Sequence, residues 1–492
     1  MSYDVVVVGG GIGGLTVAAL LSARGVNTCL LERQSQVGGC AARIEISGLN
    51  FEPGMGIYPA WGTGQIHERI FSELPVKAPE THTLNSAYVV RLPDRTDISL
   101  SHDETAFAIE LSKAFPECAA QAIAFYETTV KVANAWMDPL NRTSKLQTIG
   151  WAKKIRALAS EAANLQCRLR LGNKTALDCL RETSSRFQCL INTQLQAFVQ
   201  TPIEQCPYLA ASIALNLPRQ RLYSIVDGPA ALAESLAEAI TQSGGTLRLN
   251  SPVLRLAYDS AGHATGVDLL SGDTVIAKQA IVSNMTVWDT YGKLIGLGRT
   301  PPDIKQKLAR LQGGGAYVIY AAMEDAAAAR IPAERLLVAT EWQPGGSEAK
   351  ISEFTFCAAE PYTATRQRAV TLQTKTDVGP WFSFRTSEED QDVRDQEMLE
   401  VFWGKLHHAL PELGADIEVI ETANPYTFYE LTRRKLGMVR GIPGSAGLSS
   451  TSHLTSLPNV FMVGDTVSPG ATLAAVSHSA LLVANEITNK KR

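Results

Sequence analysis

Cysteine is scarce in this chain: eight residues in 492, scattered, with no C-x-x-C pair and no His/Cys grouping at metal-ligand spacing. That excludes a disulfide scaffold and a zinc-finger type site, and no metal ligands are expected. The thiols read as reduced, buried side chains. No apolar run approaches the roughly 18 residues of a membrane-spanning helix. The first strand begins at residue 3, so no cleaved signal peptide is expected. Low-complexity segments and long-period repeats are absent. A net charge of −4 leaves no electrostatic footprint for nucleic acid. With 45% hydrophobic residues, the chain is long enough for two domains with sizeable cores.

What the chain does have is concentrated at its two ends. Tyr3 to Val8 reads as a β-branched strand, and Gly9, Gly11 and Gly14 follow at G-x-G-x-x-G spacing, with Ile12 and Gly13 between them. The first glycine permits the tight turn. The second lets a pyrophosphate approach, and the third lets the next helix pack on the strand. That helix runs from about Leu15 to Arg24 and stops at Gly25. A second strand, Thr28 to Leu31, ends on Glu32. Its carboxylate is placed to accept hydrogen bonds from a ribose 2′-OH and disfavours a 2′-phosphate. To this point NAD and FAD fit equally well.

After Glu32 come Arg33, Gly38-Gly39, Cys40, Arg43, Gly48 and Phe51-Glu52-Pro53-Gly54-Met55. The glycine pair lets a loop fold back over a cofactor, and Arg43 is spaced to reach a phosphate or the far side of the site. At the other end, Val460 to Val463 is an apolar run ending in Gly464-Asp465. It reads as a buried strand delivering a carboxylate at its C-terminal edge. Pro469 and Gly470 then turn the chain into a helix, whose start offers free N–H groups and a positive dipole end. In these motifs the chain resembles the FAD-dependent amine oxidase and phytoene desaturase superfamily. The resemblance implies FAD as cofactor. It puts Gly464 and Asp465 at the pyrophosphate and ribityl region, and Ala471, Thr472 and Leu473 near the isoalloxazine ring. Gly9, Gly11, Ile12, Gly13, Gly14, Glu32, Arg33, Gly39, Arg43, Gly54 and Met55 fill out the expected cofactor set. Val253, after a helix–Gly244-Gly245–strand element, is the candidate adenine contact.

The expected fold class is α/β with an α+β substrate region. A Rossmann-like FAD-binding domain is assembled from discontinuous segments, 1–75, 227–290 and 441–492. Residues 76–102 and 291–440 form a mixed-sheet substrate domain, with strands at 316–322, 335–342, 351–357 and 369–376 and a helix from Glu388 to Leu410. Ala280 to Asn284 reads as a short strand leaving the cofactor domain. Residues 103–226 form a helical lid, punctuated by Pro116, Pro139 and Pro202. From Arg142 to Lys174 basic residues far outnumber acidic ones, with Trp136 and Trp151 nearby. Such a composition suits an anionic membrane surface and equally a solvated helix face. A peripheral position on the cytoplasmic membrane face is expected. Gly313-Gly314-Gly315 precedes a strand instead of following one, so no NAD(P)H site is visible.

Within the superfamily, the closest resemblance is to carotenoid desaturases and isomerases of the phytoene desaturase type. It rests on Val460 to Ala471 and on Asn424-Pro425-Tyr426-Thr427-Phe428-Tyr429-Glu430-Leu431-Thr432-Arg433. Gly48 to Gly54 and Ile66 to Phe71 look most like the branch acting on the 3,4-positions of acyclic carotenoids. Asn424 stands where that family usually has Thr. The resemblance implies a desaturase for an acyclic carotenoid or related long isoprenoid. An allylic C–H would lose hydride to flavin N5, a proton would follow, and electrons would leave to oxygen or a quinone. Such chemistry needs an apolar, water-excluding tunnel more than a catalytic triad. Glu430, Tyr429 and Arg433 are the candidate catalytic groups, although Glu430 and Arg433 at i, i+3 also suit a simple ion pair. The alternatives are redox-neutral cis–trans isomerisation, amine oxidation, and a non-catalytic prenyl carrier on the same fold.

Overall fold

The computed structural model describes residues 1–143, 174–342, 351–360, 366–382, 388–443, 451–468 and 470–489, without side-chain placement for 136–143 and 388–389. The basic and aromatic stretch read between Trp136 and Lys174 therefore lies, apart from Lys174, outside the described side chains. So does Pro469.

Val5 to Val8 are buried on both faces, as a strand covered on two sides requires. Strand Ser2–Val8 lies between Thr28–Leu31 and Thr274–Ser283, parallel to both. Thr246–Arg248 adds to the outer edge. Val460–Met462 pairs parallel with Ile281 to Ser283, so three stretches far apart in sequence share one seven-stranded sheet. Helices Ile12–Ala23, Pro229–Gln242 and Leu473–Asn489 cover one face through Leu15, Leu20, Leu232, Leu236, Ala480 and Val483. The other face is closed by Val6, Val8, Val267, Ile281, Trp288 and Met462. Thr274–Ser283 is one ten-residue strand, longer than the segment from Ala280 that its apolar run suggests. Its first half alternates, with Val275 and Ala277 buried and Thr274, Ile276 and Lys278 exposed, and pairs antiparallel with Ala264–Leu269. Its second half is fully buried and parallel. Two sequence patterns thus occupy one strand.

The second seven-stranded sheet runs Ile417–Ala423, Gly315–Glu324, Gln367–Thr376, Glu353–Ala358, Arg335–Ala339, Tyr88–Arg91, Asp97–Leu100. Helix Glu388–Ala409 seals one face, with Met398, Phe402 and Leu406 against Tyr317, Phe354, Phe356 and Leu372. Helices Glu104–Ala114, Ala119–Thr143, Ser185–Val199 and Tyr208–Leu215 build a third core around Phe107, Phe115, Phe125 and Phe187. The Asp103 carboxylate caps the first of these, accepting from Ala106 N–H at 2.7 Å, and the Ser184 hydroxyl caps the third, accepting from Phe187 N–H at 3.2 Å. Pro139 does not end a helix as its ring chemistry suggests; Ala119–Thr143 continues past it. Among the described residues, no helix is long and apolar enough to cross a membrane.

Candidate functional site

The glycine turn sits where strand Ser2–Val8 meets helix Ile12–Ala23. Gly9 takes φ +100°, in the left-handed region that favours glycine. A Cβ at Gly14 would lie 2.0 Å from the Gly9 carbonyl oxygen, so the third glycine is fixed by helix–strand contact and lies beneath the ligand space. The loop after Glu32 folds back onto this turn: Gly38 N–H donates to Gly10 O at 2.8 Å. The Glu32 carboxylate accepts from Gly10 N–H at 2.6 Å and from Gln34 N–H at 2.7 Å. Two backbone amides thus aim it, and its remaining lone pairs stay available to a ribose. Asn284, at the end of the neighbouring strand, closes the cradle; Cβ atoms at Gly11 or Gly13 would each come within 2.6 Å of its side-chain amide. The sequence offers no signal for Asn284 beyond its place after an apolar run.

Every expected cofactor residue except Gly14 lines one cavity of about 1620 Å³, and Asn284 joins them. Helix Leu473–Asn489 starts at this cavity, with Thr472 Oγ1 accepting from Ala475 N–H at 3.2 Å. Asp465 lines it too, but is held by Arg434, whose guanidinium donates to Oδ2 at 2.6 Å. Burial works against the Arg434 charge, yet the Asp465 carboxylate keeps it above the ordinary guanidinium value. Arg434 is a site residue that sequence reasoning passed over in favour of its neighbour Arg433. Arg43 bonds Glu234 at 3.1 Å on the rim. Arg33 donates to the carbonyls of Glu430, at 3.2 Å, and Leu431, at 2.6 Å, tying the cofactor loop to helix Pro425–Thr432. Cys40 is exposed and opens onto the cavity.

The expected catalytic group does not assemble. Glu430 and Tyr429 lie outside the cavity lining, whereas Arg433 contributes to it. Glu430 and Arg433 pair with each other at 2.6 Å on a half-exposed surface, and Arg433 lies 5.0 Å over the Tyr429 ring. The one-turn spacing satisfies these charges locally. What faces the cavity from the same helix is Thr427, Phe428, Leu431 and Thr432. Asn424 caps this helix, its side-chain oxygen accepting from Tyr426 N–H at 3.0 Å and Thr427 N–H at 3.2 Å. Further into the cavity wall stands Tyr58, whose hydroxyl donates to the Glu52 carboxylate. Burial raises the Glu52 carboxyl above its usual range, even though the Tyr58 hydroxyl and Arg335 favour its charged form. Glu52 is visible in sequence as part of the Phe-Glu-Pro-Gly run, but its partnership with Tyr58 is not.

A ligand pocket ordinarily measures about 300–1,000 Å³. This cavity exceeds that, and beside the nucleotide-turn residues its lining includes the apolar side chains of Ile57, Ala197, Phe198, Ile213, Leu217 and Phe428. The trough's side-chain-free glycine turn, aimed carboxylate and helix start fit a dinucleotide such as FAD.

Comparison with known proteins agrees with this geometry. Residues 7–74 match the NAD(P)-binding Rossmann-like domain family. Over 99% of its length the chain is 22% identical to the chloroplastic prolycopene isomerase of Daucus carota, covering 80% of that protein. Over 63% of its length it is 24% identical to the all-trans-retinol 13,14-reductase of Homo sapiens, covering 52% of that protein. Among solved structures, putrescine oxidase bound to putrescine superposes with a TM-score of 0.64 at 15% identity, covering 99% of both chains. An oxidoreductase from Methanosarcina mazei gives 0.64 at 14% identity, covering 98% of this chain and 99% of its own. Fold and site together give a Rossmann-like nucleotide domain whose trough suits a dinucleotide such as FAD. The near full-length sequence likeness is to prolycopene isomerases, at 22% and 23% identity.

Proposed function

We propose that the protein is an FAD-dependent desaturase that creates a C=C bond in an acyclic carotenoid or related long isoprenoid. The observation that carries this reading is the single cavity joining the nucleotide trough to a largely apolar chamber. FAD, when bound, supplies the two-electron hydride acceptor that a hydrocarbon substrate requires. The protein's part is to bind, align and dry. Phe198, Ile213, Leu217 and Phe428 grip an extended chain and exclude water from a developing allylic cation. The helix start at Thr472 and the glycine turn orient the cofactor; the assigned contacts at Gly9, Gly11, Glu32, Gly464 and Asp465 belong to this proposal. Tyr58 Oη takes the proton from the carbon next to the cation while passing its own proton to Glu52. Electrons then leave to oxygen or a quinone. The enzyme works at the cytoplasmic face of a membrane, from which such a substrate must be drawn.

Redox-neutral isomerisation is the second reading, supported by the near full-length likeness to prolycopene isomerases. One anaerobic experiment separates the two. Purified protein is mixed with acyclic carotenoids in liposomes while the flavin's visible absorption is followed and products are separated. Flavin bleaching with a red-shifted polyene supports desaturation. Product formation without bleaching, and only after prior reduction, moves the reading to isomerisation. A yellow protein inert towards every polyene overturns both.

A further inference from the structure

Arg335 stands behind the Tyr58–Glu52 couple, although it is not part of the cavity lining. Strand register puts it there. Strands Gly315–Glu324, Gln367–Thr376, Glu353–Ala358 and Arg335–Ala339 run antiparallel, each to the next. One row across all four reads Tyr320, Thr371, Cys357, Arg335. Residues directly opposite one another project to the same face. Tyr320 and Thr371 line the cavity, so the far end of the row lies on the cavity-facing side as well. Thr371 fastens the Glu52 segment to this face, its hydroxyl donating to the Glu52 carbonyl at 2.7 Å. The groups converge at Gly56. A Cβ there would meet Glu52 Cγ at 3.3 Å, Arg335 Nε at 3.5 Å and Cys357 Sγ at 3.5 Å.

The titratable and charged groups at this point are Glu52, Tyr58, Cys357 and Arg335, with Glu334 at the outer edge. Burial raises the Tyr58 phenol and the Cys357 thiol, so both stay neutral. Burial raises the Glu52 carboxyl too, and a buried carboxylate needs a nearby cation to stay charged. Arg335 is that cation. Its Nε is buried and has no hydrogen-bond partner among the described residues. On its outer side Glu334 lies 3.9 Å away, half exposed and already bonded by Arg368 at 2.6 Å. The Arg335 charge is therefore left to act inward, on Glu52.

We infer that Arg335 is a positioning residue for the proton transfer proposed above: from the end of its strand row it holds Glu52 as the resting carboxylate that receives the Tyr58 proton. The inference rests on that reading of Tyr58 and Glu52 and names the group that poises them. The substrate loses a hydride to the bound FAD and a proton to Tyr58 Oη. The phenol's own proton passes to Glu52, which returns it to solvent between turnovers.

The test uses the full-length, FAD-loaded protein. Infrared difference spectra across pH follow the protonated-carboxyl band, assigned to Glu52 by its loss in Glu52→Gln. In Arg335→Met the band should persist to a pH at least about one unit above the parent's, a ten-fold change in the protonation equilibrium. Arg335→Lys keeps a cation and should titrate near the parent. Arg335→Gln, neutral but able to hydrogen-bond, repeats the test should the Met variant fail to bind FAD. Single-turnover product formation from an acyclic carotene in liposomes should follow the band. The neutral variants should be about ten-fold slower on the acid side and level with the parent at alkaline pH. A loss of rate equal at every pH, with the band unmoved, would show a structural role only and overturns the inference. A shifted band with an unshifted rate profile overturns it too. If the parent turns over no polyene, the polyene reading falls, and the infrared titration alone decides whether Arg335 holds Glu52 charged.

Discussion

The two seven-stranded sheets use their faces in opposite ways. Both faces of the nucleotide sheet are apolar, one against three helices and one against Trp288 and its neighbours. It meets the cavity at strand ends, through backbone turns and carboxylates such as Glu32 and Asp465. The cavity sheet has one apolar face under helix Glu388–Ala409 and one mixed face bearing Gln373, Tyr320 and Thr371. It meets the cavity broadside, through side chains. The difference teaches that a ligand held by backbone constrains sequence tightly, whereas one held by a sheet face constrains only which alternate residues point inward.

Substitutions should separate the two regimes. The largest effect belongs to the backbone-governed end. Gly14→Val drives a side chain into the Gly9 carbonyl, which cannot move without shifting the strand. We expect a loss of about 3 kcal/mol or more in denaturant unfolding, with colourless protein on purification. A stable, yellow variant would break the claim that helix–strand contact fixes this glycine. In the chamber wall outside both seven-stranded sheets, Tyr58→Phe should leave FAD bound yet slow single-turnover flavin reduction or product formation by about 100-fold, the usual scale for losing a positioned acid–base group. In the parent, the rate should rise with pH through the raised Glu52 titration, because Glu52 must be ionised to take the phenol's proton; a flat profile would count against the pair.

Adjacent arginines give the next contrast. Arg434→Leu leaves Asp465 without its partner in a mostly buried setting and should cost about 2 kcal/mol in chemical denaturation, below the fully buried figure because both groups keep some water. His67 tests the packing beneath the cavity. It is stacked on Trp61 at 4.2 Å, and burial lowers its imidazole to about 3. In the unfolded chain it titrates near 6.5, as a rough reference. Between those values the unfolded state binds a proton that the folded state refuses. Stability is therefore full above about 6.5 and falls as acid is added, by up to about 1.4 kcal/mol per pH unit. His67→Phe should flatten unfolding free energy between about pH 6.5 and 5, where few carboxylates titrate; an unchanged slope would mean His67 is not the source. The smallest effect is expected for Glu430→Gln. Its pair with Arg433 is half exposed, so unfolding should shift by no more than about 0.5 kcal/mol, with turnover near the parent's. A large loss of turnover there would restore Glu430 to the catalytic group.

The strand, glycine turn, helix and Glu32 were legible because each is a local rule: β-branched residues, three glycines at fixed spacing, and an acid at the next strand end. Gly464-Asp465 was legible for the same reason. Strand Thr274–Ser283 was legible in two pieces, one after the Ser271-Gly272-Asp273 turn and one from Ala280; that they form one strand was not, because the alternation of the first half gives way to the apolar run of the second. Strand Ile417–Ala423 escaped notice, since an edge strand with Glu418 and Glu421 carries little apolar signal. Glu430 was named because it lies within a recognisable segment, yet it lies outside the cavity lining, and Tyr58 carried no signal in the sequence.

By itself, the sequence determined the cofactor class and the backbone that cradles it, because glycine spacing and strand-end acids act within a few residues of one another. It also pointed to residues of the two chain ends meeting, and both line one cavity. Tertiary structure alone decided which face of the second sheet meets the chamber. It also decided that Asn284 and Arg434 complete the nucleotide trough, and that Tyr58 is backed by Glu52. Those choices depend on which surface a distant helix covers, and burying one face of an alternating strand necessarily presents the other.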